Sequence, residues 1–316
     1  MGNFFKSLFG GNSDAGEKAE EKENERKFDI LKYDGLKALK IKKTGYAIRC
    51  FNEALNIREE EETLEYLAMA YIQQGENKNA IETYDRLVVL APEETDIFLK
   101  RAQLYLQENE PELAIADCVY ALHRSSDYRA FLLIAHAQTE LGNTNEAINS
   151  LTQATELKDD VMEIFLLRAA AYYKAEQYDN ALTDINRAIE LAPEEEAVYM
   201  QRAKIQEHFH NYEAALEDYA TVTNLNPFHE QAYLESGRIL MEQQRPDEAI
   251  RYFDEALETN PDFGKAYLAR AEAKKLKGDN EGAQKDTDTG NALCNGTDEE
   301  VKQPVNFDNL YANRPL

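Results

Sequence analysis

Three observations predict an all-α protein, an α-solenoid of stacked helix pairs. First, Ala147, Ala181, Ala215, Ala249 and Ala283 recur every 34 residues, and Ala114, Ala80 and Ala47 continue the series at spacings of 33 or 34. Second, Pro193, Pro227 and Pro261 keep the same 34-residue interval. Third, each copy carries two apolar stripes at helical spacing, separated by a short polar break. A period of roughly this size marks a repeat array, in which each unit buries its apolar face against its neighbours.

Eight copies tile residues 28 to 297, starting at Phe28, Glu61, Thr95, Tyr128, Met162, Glu196, Glu230 and Gly264. In the copy from Met162, Phe165, Ala169 and Tyr172 form one helical stripe, QYDN breaks it, and Ala181, Ile185, Ala188 and Ile189 form the second. Pro193 stops the second helix, because proline cannot continue it. Position eight is small (Ala68, Ala102, Ala135, Ala169, Ala203 and Ala271, with Gly35 and Gly237) and lets paired helices approach. A large residue at position eleven (Tyr71, Tyr105, Tyr172, Leu240) fills the space beside it.

These residues resemble the tetratricopeptide repeat (TPR) family: aromatic or Leu at position four, Gly or Ala at eight, Tyr at eleven, Ala at twenty and twenty-seven, Pro at thirty-two. The resemblance covers residues 28–297. It implies a right-handed superhelix whose concave groove is lined by the first helix of each pair. The first copy lacks the usual Gly before its second helix. The last places Thr287 and Gly290 where an aromatic and Ala belong, which reads as a polar capping helix.

On that geometry, positions 2, 5, 6, 9, 12 and 13 face the groove. Position five carries Leu99, Leu132, Leu166, Met200, Leu234 and Leu268 in six consecutive copies. Leu106, Tyr173 and Met241 extend this apolar ladder, and His136, Lys204 and Arg238 stand among them. Two readings stay open: a ladder for a peptide partner, or residues half-buried between neighbouring repeats. Arg101, Arg168, Arg202 and Arg270 at position seven are read as lying along the helix with packed stems; a row for a partner carboxylate is the alternative. The two-carboxylate clamp by which TPR co-chaperones hold chaperone tails needs Asn at position nine, and none occurs there, so chaperone-tail binding by that clamp is not expected.

Composition narrows the partners. The formal net charge is −25, with 60 acids against 35 Lys and Arg, which opposes nucleic-acid binding. Cys50, Cys118 and Cys294 form no CxxC pair and suggest neither a disulfide framework nor zinc. His229-Glu230 opens an HExxH-like string, but Tyr233 stands where the second ligand belongs. His208 and His210 read as solvated turn histidines. No phosphate-binding loop or cofactor motif occurs. An enzyme is not expected, nor any cofactor or metal.

The ends differ from the repeats. Residues 1–11, MGNFFKSLFGG, place Phe4, Phe5, Leu8 and Phe9 on one face of a short helix too brief to be stable alone. They fit neither a signal peptide nor a myristoylation signal. Residues 12–27 read as a charged flexible linker or a frayed helix, and 298–316 as an extended tail that could cross the groove, dock elsewhere or stay disordered. The expectation is a cytoplasmic, non-enzymatic scaffold that binds a peptide or protein in its groove. The alternative is a membrane-associated assembly factor recruited through residues 1–11.

Overall fold

The computed structural model describes residues 13–296. Residues 1–12 and 297–316, with the expectations that fall on them, lie outside the described part. The chain divides into two compact units, 1–157 and 158–316. In the first unit the helices are α1 (Ser13–Lys40), α2 (Thr44–Ile57), α3 (Glu61–Gln74), α4 (Asn77–Leu90), α5 (Thr95–Gln107), α6 (Pro111–Leu122), α7 (Tyr128–Glu140) and α8 (Thr144–Leu157). The second unit holds α9 (Met162–Lys174), α10 (Tyr178–Leu191), α11 (Glu196–His208), α12 (Tyr212–Leu225), α13 (Glu230–Glu242), α14 (Pro246–Thr259), α15 (Gly264–Lys277) and α16 (Asn280–Gly296). No strand occurs among the described residues. Within each unit every first helix packs on its own second helix, and each second helix packs on the next first helix.

The core runs along this stack. In the first unit Leu64, Ala68, Tyr84 and Leu87 are buried; in the second, Ala203, Tyr219 and Val222. The two glycines at position eight face the two phenylalanines of the second helices. A Cβ on Gly35 would overlap the Phe51 ring, and one on Gly237 the Phe253 ring. At the far end, a Cβ on Gly290 would lie 2.8 Å from Leu268 Cδ2 and 2.9 Å from the Gly264 carbonyl. Gly290 is therefore demanded by the close approach of α15 and α16, rather than by a polar cap alone.

The eight turns between paired helices share one conformation. Position fifteen has positive φ throughout: Gly75, Gly142 and Gly278, but also Lys42, Asn109, Glu176, His210 and Gln244 at 57° to 60°. The following N–H donates to the carbonyl five residues back in every case, as in Glu76 to Tyr71 (2.9 Å) and Gln177 to Tyr172 (2.8 Å). This closes the helix with the left-handed cap that glycine adopts most readily. The first copy lacks glycine yet makes the same turn with Lys42, because the bonds and the packing beyond it over-determine the backbone.

Of the two readings of residues 12–27, linker or frayed helix, residues 13–27 follow the helical one. They are helical and continue into the first repeat as one helix, α1. The stretch is rich in Glu, Lys and Ala, which favour helix. Phe28, under the Arg58 guanidinium at 4.2 Å, marks where α1 passes the end of α2.

Candidate functional site on the first helices

Position five lies between neighbouring first helices. In the first unit Leu99 and Leu132 are 4% and 3% exposed, and Leu99 packs in one cluster with Leu133 and Ile134 of α7. In the second unit Leu166 and Met200 are 4% and 5% exposed, and Met200 packs with Ala232 and Tyr233 of α13. Leu234 and Leu268 are half-buried. At these four rungs the side chains follow the second of the two readings, burial between repeats. Leu99, Leu166 and Met200 pack in clusters that reach the next repeat.

The accessible apolar surface sits at positions nine and twelve. In the first unit Met69 is 47% and Ile72 40% exposed, one turn apart on α3, with Leu106 and His136 half-buried. In the second unit Tyr173 is exposed and Met241 half-buried, while Lys204 and Arg238 are exposed.

Charges on this face are answered within the chain. Lys32 Nζ bonds Glu60 Oε2 at 2.7 Å and Glu62 at 2.5 Å. Burial opposes its charge, but the two carboxylates push Lys32 above the ordinary lysine value. Lys100 reaches Glu65 at 3.3 Å and Arg129 reaches Asp96 at 2.6 Å, each pair joining neighbouring first helices. Arg238 donates to Glu235 (2.7 Å), Glu242 (2.9 Å) and Glu207. Glu207 also accepts from the Tyr219 hydroxyl at 2.6 Å, and burial together with that carboxylate pushes the hydroxyl up. Arg238 is therefore a strut within the groove wall, committed to three carboxylates.

The position-seven arginines have a structural partner that sequence reasoning missed. Arg101 Nε and Nη2 donate to Asp117 at 2.8 and 2.7 Å. Arg168 grips Asp184 at 2.7 and 2.9 Å, Arg202 grips Asp218 at 2.9 and 2.7 Å, and Arg270 grips Asp286 at 2.8 Å twice. The third nitrogen of three of them reaches the preceding repeat: Asp85 from Arg101 (2.7 Å), Asn186 from Arg202 (3.0 Å) and Asp254 from Arg270 (2.6 Å). Phe98 and Tyr105 flank Arg101, and Phe165 and Tyr172 flank Arg168, all within 6 Å of the ring centroids. These guanidiniums are spent as bidentate, ring-flanked links. A row offered to a partner carboxylate is excluded. The constant offset of 16 residues between Arg and Asp was the available signal.

His208 is not simply solvated. Its ring stacks on Tyr178 with centroids 3.4 Å apart, and Tyr173 meets Tyr178 edge-on at 5.3 Å. With exposed Phe209 they form an aromatic cluster beside the second unit's groove face.

Models described as tetratricopeptide repeat match residues 132–196, 200–262 and 240–286, and one described as anaphase-promoting complex, cyclosome, subunit 3 matches 73–154. The chain belongs to the tetratricopeptide repeat family. No curated protein matches it. Among solved structures, the C-terminal part of a TPR repeat-containing protein from Cytophaga hutchinsonii is 18% identical, with TM-score 0.61, covering 77% of this chain and 98% of that one. A tetratricopeptide repeat protein from Parabacteroides merdae is 16% identical, with TM-score 0.55, covering 76% and 95%. A protein described as "YrrB: a TPR protein with an unusual peptide-binding site" is 22% identical, with TM-score 0.51, covering 62% and 99%. At these identities the likeness is one of fold.

Proposed function

We propose that the chain is a non-enzymatic scaffold that binds a peptide or protein partner on the exposed face of its first helices. The observation that carries this reading is apolar surface left open where repeat packing does not need it. Met69 and Ile72 on α3 stay exposed on a face whose ion pairs Lys100–Glu65 and Arg129–Asp96 are internally matched, and Tyr173 stays exposed on α9. Such a face gains affinity from desolvating apolar side chains, while the fixed charges set register. The peptide-binding site of the YrrB neighbour accords with this use of the fold. Leu106 and His136 complete the candidate contacts on the first unit; Lys204 and Met241 complete those on the second, where Arg238 shapes the face from within.

A photo-crosslinking residue at Ile72 or Tyr173, compared with one at exposed Leu113 on the second-helix side, tests the reading. The expected partner crosslinks at the first two sites and not at Leu113. That partner then binds the Met69→Asp/Ile72→Asp or Tyr173→Asp variant at least about tenfold more weakly, the loss of one buried contact cluster. A partner captured equally at Leu113, with unchanged affinity for both variants, refutes it.

A further inference from the structure

Position three of the repeat is buried at Thr63, Ile97 and Ala130 in the first unit and at Val198, Ala232 and Ala266 in the second. The equivalent residue of the first repeat, Ile30, is 51% exposed, and Tyr33 and Ile41 are 66% and 57% exposed. Together with Ala19, Glu23, Arg26 and Lys37 they follow one another at intervals of three or four residues, and all are exposed. From Ala19 to Lys37 they make one continuous stripe along α1, the kind of seam that pairs with another helix, and Ile41 follows in the turn beyond it. The opposite face of the helical extension is acidic (Glu17, Glu20, Glu21, Glu25) and would repel its own mate.

We infer that the occupant is a second copy of this chain, with two α1 helices paired antiparallel about a twofold axis between Asn24 and Glu25. In that register Glu23 faces the partner's Arg26, twice by symmetry. Ala19 receives the partner's Ile30, so a large residue meets a small one in both directions. The contact is isologous and closes on itself. A single helix pair is at the small end of specific interfaces, so dissociation falls in roughly the micromolar range.

Sedimentation velocity on the full chain across roughly micromolar concentrations tests this. The wild type shifts from monomer to dimer as concentration rises. Ile30→Glu/Tyr33→Glu stays monomeric with unchanged helical circular dichroism, since both residues are exposed. Glu23→Arg weakens the dimer about tenfold by turning two attractions into repulsions. The charge swap Glu23→Arg/Arg26→Glu restores it. A wild type monomeric throughout, a dimer indifferent to Ile30→Glu/Tyr33→Glu, or a swap that fails to restore affinity overturns the inference. So does a monomeric wild type that binds phosphatidylcholine vesicles through Ile30 and Tyr33, which would assign the stripe to lipid.

Discussion

Replacing Asp184 by Ala leaves the Arg168 guanidinium without its bidentate acceptor while the side chain stays 13% exposed and flanked by Phe165 and Tyr172. Breaking a fully buried ion pair from one side costs about 3–5 kcal/mol; the residual exposure of Arg168 reduces this to roughly 2–3 kcal/mol. The chain contains its own control. Position seven is Leu67 with Thr83 sixteen residues on, and Ile134 with Ser150, so the site accepts an apolar residue without an acid opposite. Arg168→Leu/Asp184→Thr should accordingly lie within about 1 kcal/mol of wild type, because exchanging both members of a buried pair is often neutral. Native-state hydrogen exchange of the α10 amides, with urea titration followed by circular dichroism, reads both numbers. The single variant should open α10 far more readily than the double. A double-variant cost equal to the sum of the two single losses would refute the idea that the pair is a replaceable link, and so would an Asp184→Ala loss below about 0.5 kcal/mol, the scale of an exposed pair.

Three further outcomes follow from the same packing. Glu176→Gly relieves a left-handed non-glycine residue and should raise the stability of the α9–α10 pair by about 0.5–1 kcal/mol, read as a higher urea midpoint. Gly237→Ala pushes a methyl into the Phe253 ring and should cost about 1–3 kcal/mol, seen as a lower melting temperature; no change would mean the ring has room to move. Burial opposes ionisation of Asp286, but Arg270 and Lys274 hold its carboxyl below the usual carboxylate range. Its stabilising contribution is therefore present above the unfolded value near about pH 4 and lost as pH falls through the folded one. The stability difference between wild type and Asp286→Asn should shrink on acidification, and a difference that grows would contradict the pairing.

The repeat was legible because it is written in residue size. Alanine at position eight, large residues at four and eleven, and proline after the second helix need no tertiary knowledge to read. Position five was harder. A leucine every 34 residues fits a groove or a seam equally, and only the proximity of successive first helices, which buries Leu99 against Leu133 and Ile134, decides it. The packed stems of the arginines were legible, but their acids were not, because they lie across the helix pair and show in sequence only as a constant offset. For residues 13–27 charge and the lack of large apolar groups left linker and frayed helix open, and helix propensity with continuity into α1 accounts for the helix. Gly290 looked like a lapse in the pattern and is a requirement of contact with Leu268 and Gly264.

The most direct test of the proposed function is hydroxyl-radical footprinting of the full chain with and without its captured partner. Methionine and tyrosine side chains report their own solvent exposure, and Met69, Tyr173 and Met241 all lie on the first-helix face. Protection of one or more of these, with Val89, Leu113 and Phe228 oxidised as in the free protein, is the predicted result. Protection of Val89, Leu113 or Phe228, with Met69, Tyr173 and Met241 unchanged, would place the partner elsewhere and contradict the account.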